Sequence, residues 1–368
     1  MANGSEATAG EHRPSRHDVA VVGAGISGLV VARAMVHAGR SVVVFEARDR
    51  VGGRLWSRHL RGGSHRVDAG ATWYWPGEHR VARLVDELAV ATHDQFIAGD
   101  AMYHDRPHAQ RIDGNPIDVP SLRFSDGAQS LAEAVAAQLP VDVVQLGAVV
   151  HEIDGGGERL VVRYRESTGS VQRAEADHVV IALPPALATD RIAFRPGLPD
   201  ELRRIAGATP VWMGAVTKVV AHFATTFWRG DGLSGSAISH IGPMREVHDM
   251  SGPNGEPAVL FGFAPSQSPS DTVTEQQVRV QLVELFGAEA AEPLEIALTD
   301  WRAEPATSPP GVESLHDYQT YGHPVWQTPT FDGRLHWTST ETSREAPGHI
   351  EGALAAAERT AAAIATRG

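Results

Sequence analysis

Between Asp18 and Glu46 the chain carries a pattern that few folds accommodate. The apolar run Val19–Val22 leads into Gly23, Gly25 and Gly28, spaced as G-x-G-x-x-G. A helical run follows to His37, and a second apolar run, Val42–Phe45, ends on Glu46. Strand, glycine turn, helix and strand in this order predict a βαβ unit whose helix N-terminus faces an anionic ligand. Gly23 allows the tight turn, Gly25 lets backbone approach a pyrophosphate, and Gly28 lets the helix pack against the sheet. Glu46 stands eighteen residues (46 − 28) beyond Gly28, where a carboxylate accepts hydrogen bonds from a ribose 2′-hydroxyl. A 2′-phosphate would be repelled there, so the expected dinucleotide is FAD or NAD rather than NADP.

The next eight residues separate the two. Ala47-Arg48-Asp49-Arg50-Val51-Gly52-Gly53-Arg54 sets adjacent glycines and three arginines directly after the ribose-binding carboxylate, and such a segment can lay a guanidinium on a pyrophosphate. It resembles the Glu-x-x-x-x-x-Gly-Gly-Arg signature of the FAD-dependent, monoamine oxidase-like amine oxidase family, which includes polyamine and L-amino acid oxidases. The resemblance runs from Asp18 to Ala365 and implies an α/β fold. A Rossmann-like FAD-binding domain of the glutathione reductase and amine oxidase type would carry a sheet-containing substrate domain. The expected division is a disordered tail at 1–16, an FAD-binding domain at 17–80, 123–186 and 330–368, and a substrate domain at 81–122 and 187–329.

Composition narrows the class. A chain of 368 residues can hold about two domains. Its formal charge of −13 and the lack of a basic stripe argue against nucleic acid as a partner. There is no cysteine, which excludes disulfides, thiolate metal sites and a cysteinyl flavin link; FAD is expected to bind without a covalent bond, a histidyl link being the open alternative. No metal is expected. The polar first sixteen residues lack the apolar centre of a signal peptide. No apolar run approaches the roughly 20 residues of a membrane span. A cytoplasmic protein is expected, with a homodimer as a further expectation.

Several stretches resemble segments that build the family's active site. Gly70-Ala71-Thr72 could lie against a flat ring, with Trp73 and Trp75 as walls of a substrate pocket, although a hairpin with core aromatics would look the same. Val149 sits where the family touches adenine through backbone. Lys218 lies in an apolar run, on one face with Val216 and Val220. On pattern alone it reads as an edge-strand lysine reaching solvent; the resemblance implies instead a catalytic lysine held through water to flavin N5. Glu341 and Ile350 are further expected FAD contacts, beside a second helix N-terminus suited to the anionic edge of reduced flavin. Trp212, Tyr321 and Trp326 complete the expected pocket. His349 stands where the family commonly has a cage tyrosine. It reads equally as an acid/base or substrate anchor and as a hydrogen-bonding residue at a helix start. His104 and His108, four apart around Pro107, read as solvated loop histidines.

Residues 92–122 read as loop, and only about forty residues separate Glu78 from Arg123, too few for the family's helical substrate-domain insert. Residues 141–176 read as a small antiparallel layer, followed by a separate buried strand ending at Pro184-Pro185. The resemblance implies oxidation of an amine C–N bond to an imine by hydride transfer to flavin N5, with O2 reoxidation yielding H2O2. The short insert and His349 keep open dehydrogenation, desaturation or oxidative tailoring of a larger non-amine metabolite. A flavin-binding protein without turnover is the third reading.

Overall fold

The computed structural model describes residues 15–105 and 108–366; most of the expected tail and Pro107 lie outside them. The strand Ser15–Val22 begins two residues inside that tail. It pairs in parallel with Val42–Glu46 on one side and with Val171–Ile181 on the other. An eight-stranded sheet grows from this centre. Val144–Leu146 adds a parallel edge beyond Val42–Glu46, and Leu335–Trp337 pairs in parallel with the end of Val171–Ile181. Leu160–Arg165 and Val149–Asp154 continue it antiparallel, and Ala193–Arg195 closes the far edge.

Two expectations change here. Residues 171–181 form one strand rather than two, because nothing between Ala176 and Asp177 breaks the extended run. The segment at 144–146 belongs to the parallel sheet rather than to an antiparallel layer, since Val144 and Gln145 meet Val44 and Phe45.

One face of this sheet packs under the helices Ile26–His37, Gln129–Ala136 and Ile350–Ala365, with Leu29, Leu131, Val135 and Leu354 in the shared core. Val81, Leu84 and Val85 of the helix His79–Glu87 join that core. On the opposite face Trp337 packs with Trp326, Leu202 and Ile205. The segments around 81–88 and 193–208 therefore pack on the main sheet, their apolar stripes meeting its two faces.

The second sheet has seven strands in the order Glu295–Asp300, Val216–Phe223, Ala258–Pro265, Glu246–Asp249, Leu233–Ser239, Asp100–His104, Gln110–Ile112. Its last two strands come from the stretch read as loop. Pro116 and Pro120 lie outside the strands, and Met102 and Tyr103 pair with Ala237 and Ile238. His104 is correspondingly 1% exposed, not solvated, whereas His108 is exposed. The helix Glu275–Phe286 is capped by Thr274 and Gln277 in a reciprocal capping box. It covers one face of the sheet through Val278, Leu282, Leu285 and Phe286, each contributing about 1.5–3 kcal/mol by burial. Alternation along Val216–Phe223 turns Val219, Ala221 and Phe223 toward that helix and Val220 toward the other face, with Phe261 and Met250. Lys218 shares the face of Val220. Its strand is flanked by 258–265 and 295–300, so it is interior, and the edge-lysine reading fails.

Candidate active site

One cavity of about 960 Å3 runs from the glycine turn to the inner face of the second sheet. At its first end Gly25 precedes the helix Ile26–His37 without a side-chain cap, leaving the helix N-terminus open to the cavity. A Cβ on Gly25 would meet nothing within 4 Å, whereas one on Gly28 would lie 2.1 Å from the Gly23 carbonyl oxygen. Gly28 is thus a packing glycine away from the cavity wall, as its sequence role requires. Gly25→Ala should leave the stability of the cofactor-free chain within about 0.5 kcal/mol of wild type yet lower flavin content. Gly28→Ala should lower the melting temperature, since backbone must shift. Thermal melts and flavin absorbance separate the two.

Glu46 is 4% exposed. Its Oε2 accepts the Ala24 N–H at 2.8 Å and its Oε1 the Arg48 N–H at 3.0 Å. Both oxygens keep further acceptor capacity for a diol. Val149, 47% exposed, lines the cavity nearby. Arg48 also lines it, but its guanidinium donates to Glu304 at 2.9 Å and Thr307 at 2.7 Å, tying residues 304–307 along the wall. No local sequence motif marks those residues.

Arg54 makes a two-pronged pair with Glu341, Nη1 to Oε1 at 2.6 Å and Nη2 to Oε2 at 3.1 Å. Glu341 is fully buried, and Trp212 N–H also donates to it at 3.2 Å. Burial alone would push its carboxyl up; the Arg54 guanidinium overrides this and holds it below the usual range. Glu341 does not line the cavity. It is the counter-ion that fixes Arg54, which does line the cavity.

At the other end Gly70, Ala71 and Thr72 form a close wall. A Cβ on Gly70 would stand 1.9 Å from the Arg54 carbonyl oxygen, so only glycine fits. Lys218 is 2% exposed. Its ammonium donates to the Gly70 carbonyl at 2.7 Å and to Thr72 Oγ1, and lies 4.5 Å from the Phe261 ring centroid. Burial lowers its pKa to about 7, against a counter-pull from Asp68. Trp73, Trp75, Trp212, His349 and Ile350 complete this end. His349 occupies the N-cap position of the helix Ile350–Ala365 without a side-chain capping bond, and its ring lies 4.8 Å from that of Trp75 between centroids. Its Nδ1 lies 2.7 Å from Glu78 Oε1.

The expected pocket residues Tyr321 and Trp326 are not in this wall. Tyr321 donates its hydroxyl to the Pro210 carbonyl at 3.0 Å. Trp326 is 2% exposed, donates Nε1–H to the Thr320 carbonyl, and stacks on Trp337 in the core. Both aromatics support the fold around 201–211 and 335–337, which their bulk fits better than an open pocket. All other candidates line the cavity except Gly28 and Glu341. Among the described residues no metal-holding cluster occurs, and no helix is long and apolar enough to cross a membrane.

The residues present fit FAD. The open cradle at Gly25, the carboxylate at Glu46 and the continuous passage to Lys218 give it an anionic-group site, a diol acceptor and a ring-sized wall. A dinucleotide-binding sheet joined through one cavity to a second sheet bearing a buried lysine defines a flavoprotein oxidase. The sequence matches the family described as "Flavin containing amine oxidoreductase" over residues 26–124 and 118–365, and the chain belongs to that family. Its chemistry is FAD-dependent amine oxidation.

Among its relatives, putrescine oxidase of Kocuria rosea is 27% identical, with 97% of each chain covered. The flavin-containing amine oxidase A of Equus caballus is 25% identical, covering 94% of this chain and 84% of the horse protein. Wild-type putrescine oxidase solved with putrescine superposes with a TM-score of 0.83 at 24% identity, over 96% of this chain and 100% of that one. The alignment to the Kocuria enzyme spans 473 positions, so at least 105 of them (473 − 368) have no counterpart in this chain. The two matched pieces of the family meet at 118–124, where the sequence had no room for the helical insert.

Proposed function

We propose that this chain oxidises an unhindered alkyl- or arylalkylamine, with dioxygen as the final electron acceptor. The observation that carries this reading is the pairing, in one cavity, of buried Lys218 with the wall formed by Trp75, Trp212 and His349. When bound, FAD supplies the two-electron acceptor for the hydride leaving the amine α-carbon. Gly23, Gly25, Glu46, Gly53, Arg54 and Val149 would hold its dinucleotide portion, and Gly70–Thr72 with Ile350 its ring portion. Lys218, tethered to Gly70 and Thr72, holds a polar position in an otherwise apolar wall and would orient a water there. The aromatic rings exclude bulk water and offer apolar faces to the carbon skeleton of the substrate. On this reading the main sheet serves the cofactor and the second sheet the substrate.

An anaerobic titration tests it. Mixing the yellow holoenzyme with primary, secondary and aromatic amines is expected to bleach the oxidised flavin band with one class, and admitting air should restore colour and yield H2O2. Retained FAD with no bleaching by any amine would overturn the reading and favour the larger non-amine metabolites.

A further inference from the structure

His349 and Glu78 lie 271 residues apart in sequence and meet at the cavity wall. The Glu78 side chain is 8% exposed, and its second oxygen accepts the Trp75 N–H at 3.0 Å, so the carboxylate is held in place. A carboxylate only accepts, so the Nδ1 facing it carries the hydrogen and the neutral ring offers Nε2 as an acceptor. Among the described residues Nε2 has no hydrogen-bond partner, and the ring lies between Trp75 and Trp212 at 4.8 and 6.4 Å.

An alkylamine reaches the enzyme as an ammonium, with a pKa near that of lysine at about 10.4. The C–H bond beside the nitrogen can be oxidised only once the nitrogen lone pair is free. We propose that the His349–Glu78 pair removes this proton: Nε2 of His349 accepts one proton from the bound ammonium, and the amine keeps the electron pair. No redox change accompanies the transfer. Glu78 stays ionised, holds the tautomer and stabilises the imidazolium, and is a positioning residue. The proposal rests on the amine-oxidation reading above.

The elements packed around His349 carry further charges, and His79 adjoins Glu78 in the chain. Glu351, on its own helix, is held by Arg80, which also binds Glu345 and Glu358. Arg54 and Glu341, which contact the Trp212 backbone, neutralise each other. Lys218, His151, Glu46, Glu246 and Glu304 are the other titratable groups lining the cavity, apart from arginines.

The test is the pH dependence of equilibrium binding of tert-butylamine to the holoenzyme, followed by perturbation of the flavin spectrum. This amine has no α-hydrogen and cannot be oxidised. Wild-type affinity is expected to be flat at mildly alkaline pH and to weaken about tenfold per unit below a single break, where solvent rather than the amine protonates the ring. His349→Phe should lose the break, Glu78→Gln should move it to lower pH, and His349→Asn, which can still donate to Glu78, should lose it with the fold intact. No break in wild type, or one that persists at the same pH in both His349 variants, as Lys218 would produce, overturns the assignment. A wild-type flavin that no α-hydrogen-bearing amine reduces overturns the amine reading itself. A flavin that is reduced, with the break retained in the variants, overturns only the pair.

Discussion

Lys218→Met is expected to slow flavin reduction by amine about 10²–10³-fold while raising the melting temperature of the protein below neutral pH. The two effects share one cause. Lys218 is held in an apolar wall that lowers its pKa to about 7, through burial first, with Arg123 adding repulsion and Asp68 opposing. Between about pH 7 and the unfolded-state value near 10.4 the unfolded chain binds the extra proton, so wild-type stability rises with pH across that window. The cost of the buried cation is therefore fully present below pH 7. Methionine removes it, at the expense of two hydrogen bonds and of the attraction Asp68 enjoys. The gain in melting temperature should be largest near pH 6 and shrink toward pH 9. Anaerobic stopped-flow reduction and melts at several pH values check both halves. A Met variant that is reduced at the wild-type rate removes Lys218 from the chemistry.

Arg54→Ala should cost about 3–5 kcal/mol, because it strands the carboxylate of Glu341 in a fully buried position. The pH dependence has a definite sign. In wild type the Glu341 carboxyl is held low, so its contribution is present above the unfolded carboxylate range and fades only in acid. Without Arg54, burial pushes the same carboxyl up, so the variant should lose further stability as pH rises from 5 to 8. Arg54→Met combined with Glu341→Leu should recover part of the loss, since neither charge then remains unpaired. Flavin content should fall in every variant lacking Arg54. Denaturant melts at pH 5 and 8 measure the effect; equal stability losses in the Ala variant at both pH values would contradict the buried-pair account.

The dinucleotide site was legible because its signals are local. Gly23, Gly25, Gly28 and Glu46 fall within one βαβ unit, where spacing along the chain is also spacing in the fold. Lys218 was half legible: alternation placed it on a face with Val220, but nothing in its own strand announces that two neighbours flank it. Pairings between distant segments were not readable. Glu78 meets His349 across 271 residues, and Glu341 meets Arg54 across 287. Each has an ordinary acidic-residue context in sequence. Trp326 misled for the opposite reason. A tryptophan in an irregular stretch looks the same whether it walls a pocket or, as here, packs on Trp337 in the core.

The junction at 118–124 carries a consequence for how this fold can vary. Leu122–Phe124 is clamped between Trp73–Tyr74 and Thr92–Asp94 in a small three-stranded sheet, so both ends of the shortened stretch are anchored independently of its length. Each doubling of an inserted loop then costs only about 0.6 kcal/mol in closure entropy. Residues added between Asp94 and Leu122 would therefore leave and rejoin the fold at fixed points, whatever their number. Substrate range in this architecture can thus evolve, or be engineered, by exchanging one cassette.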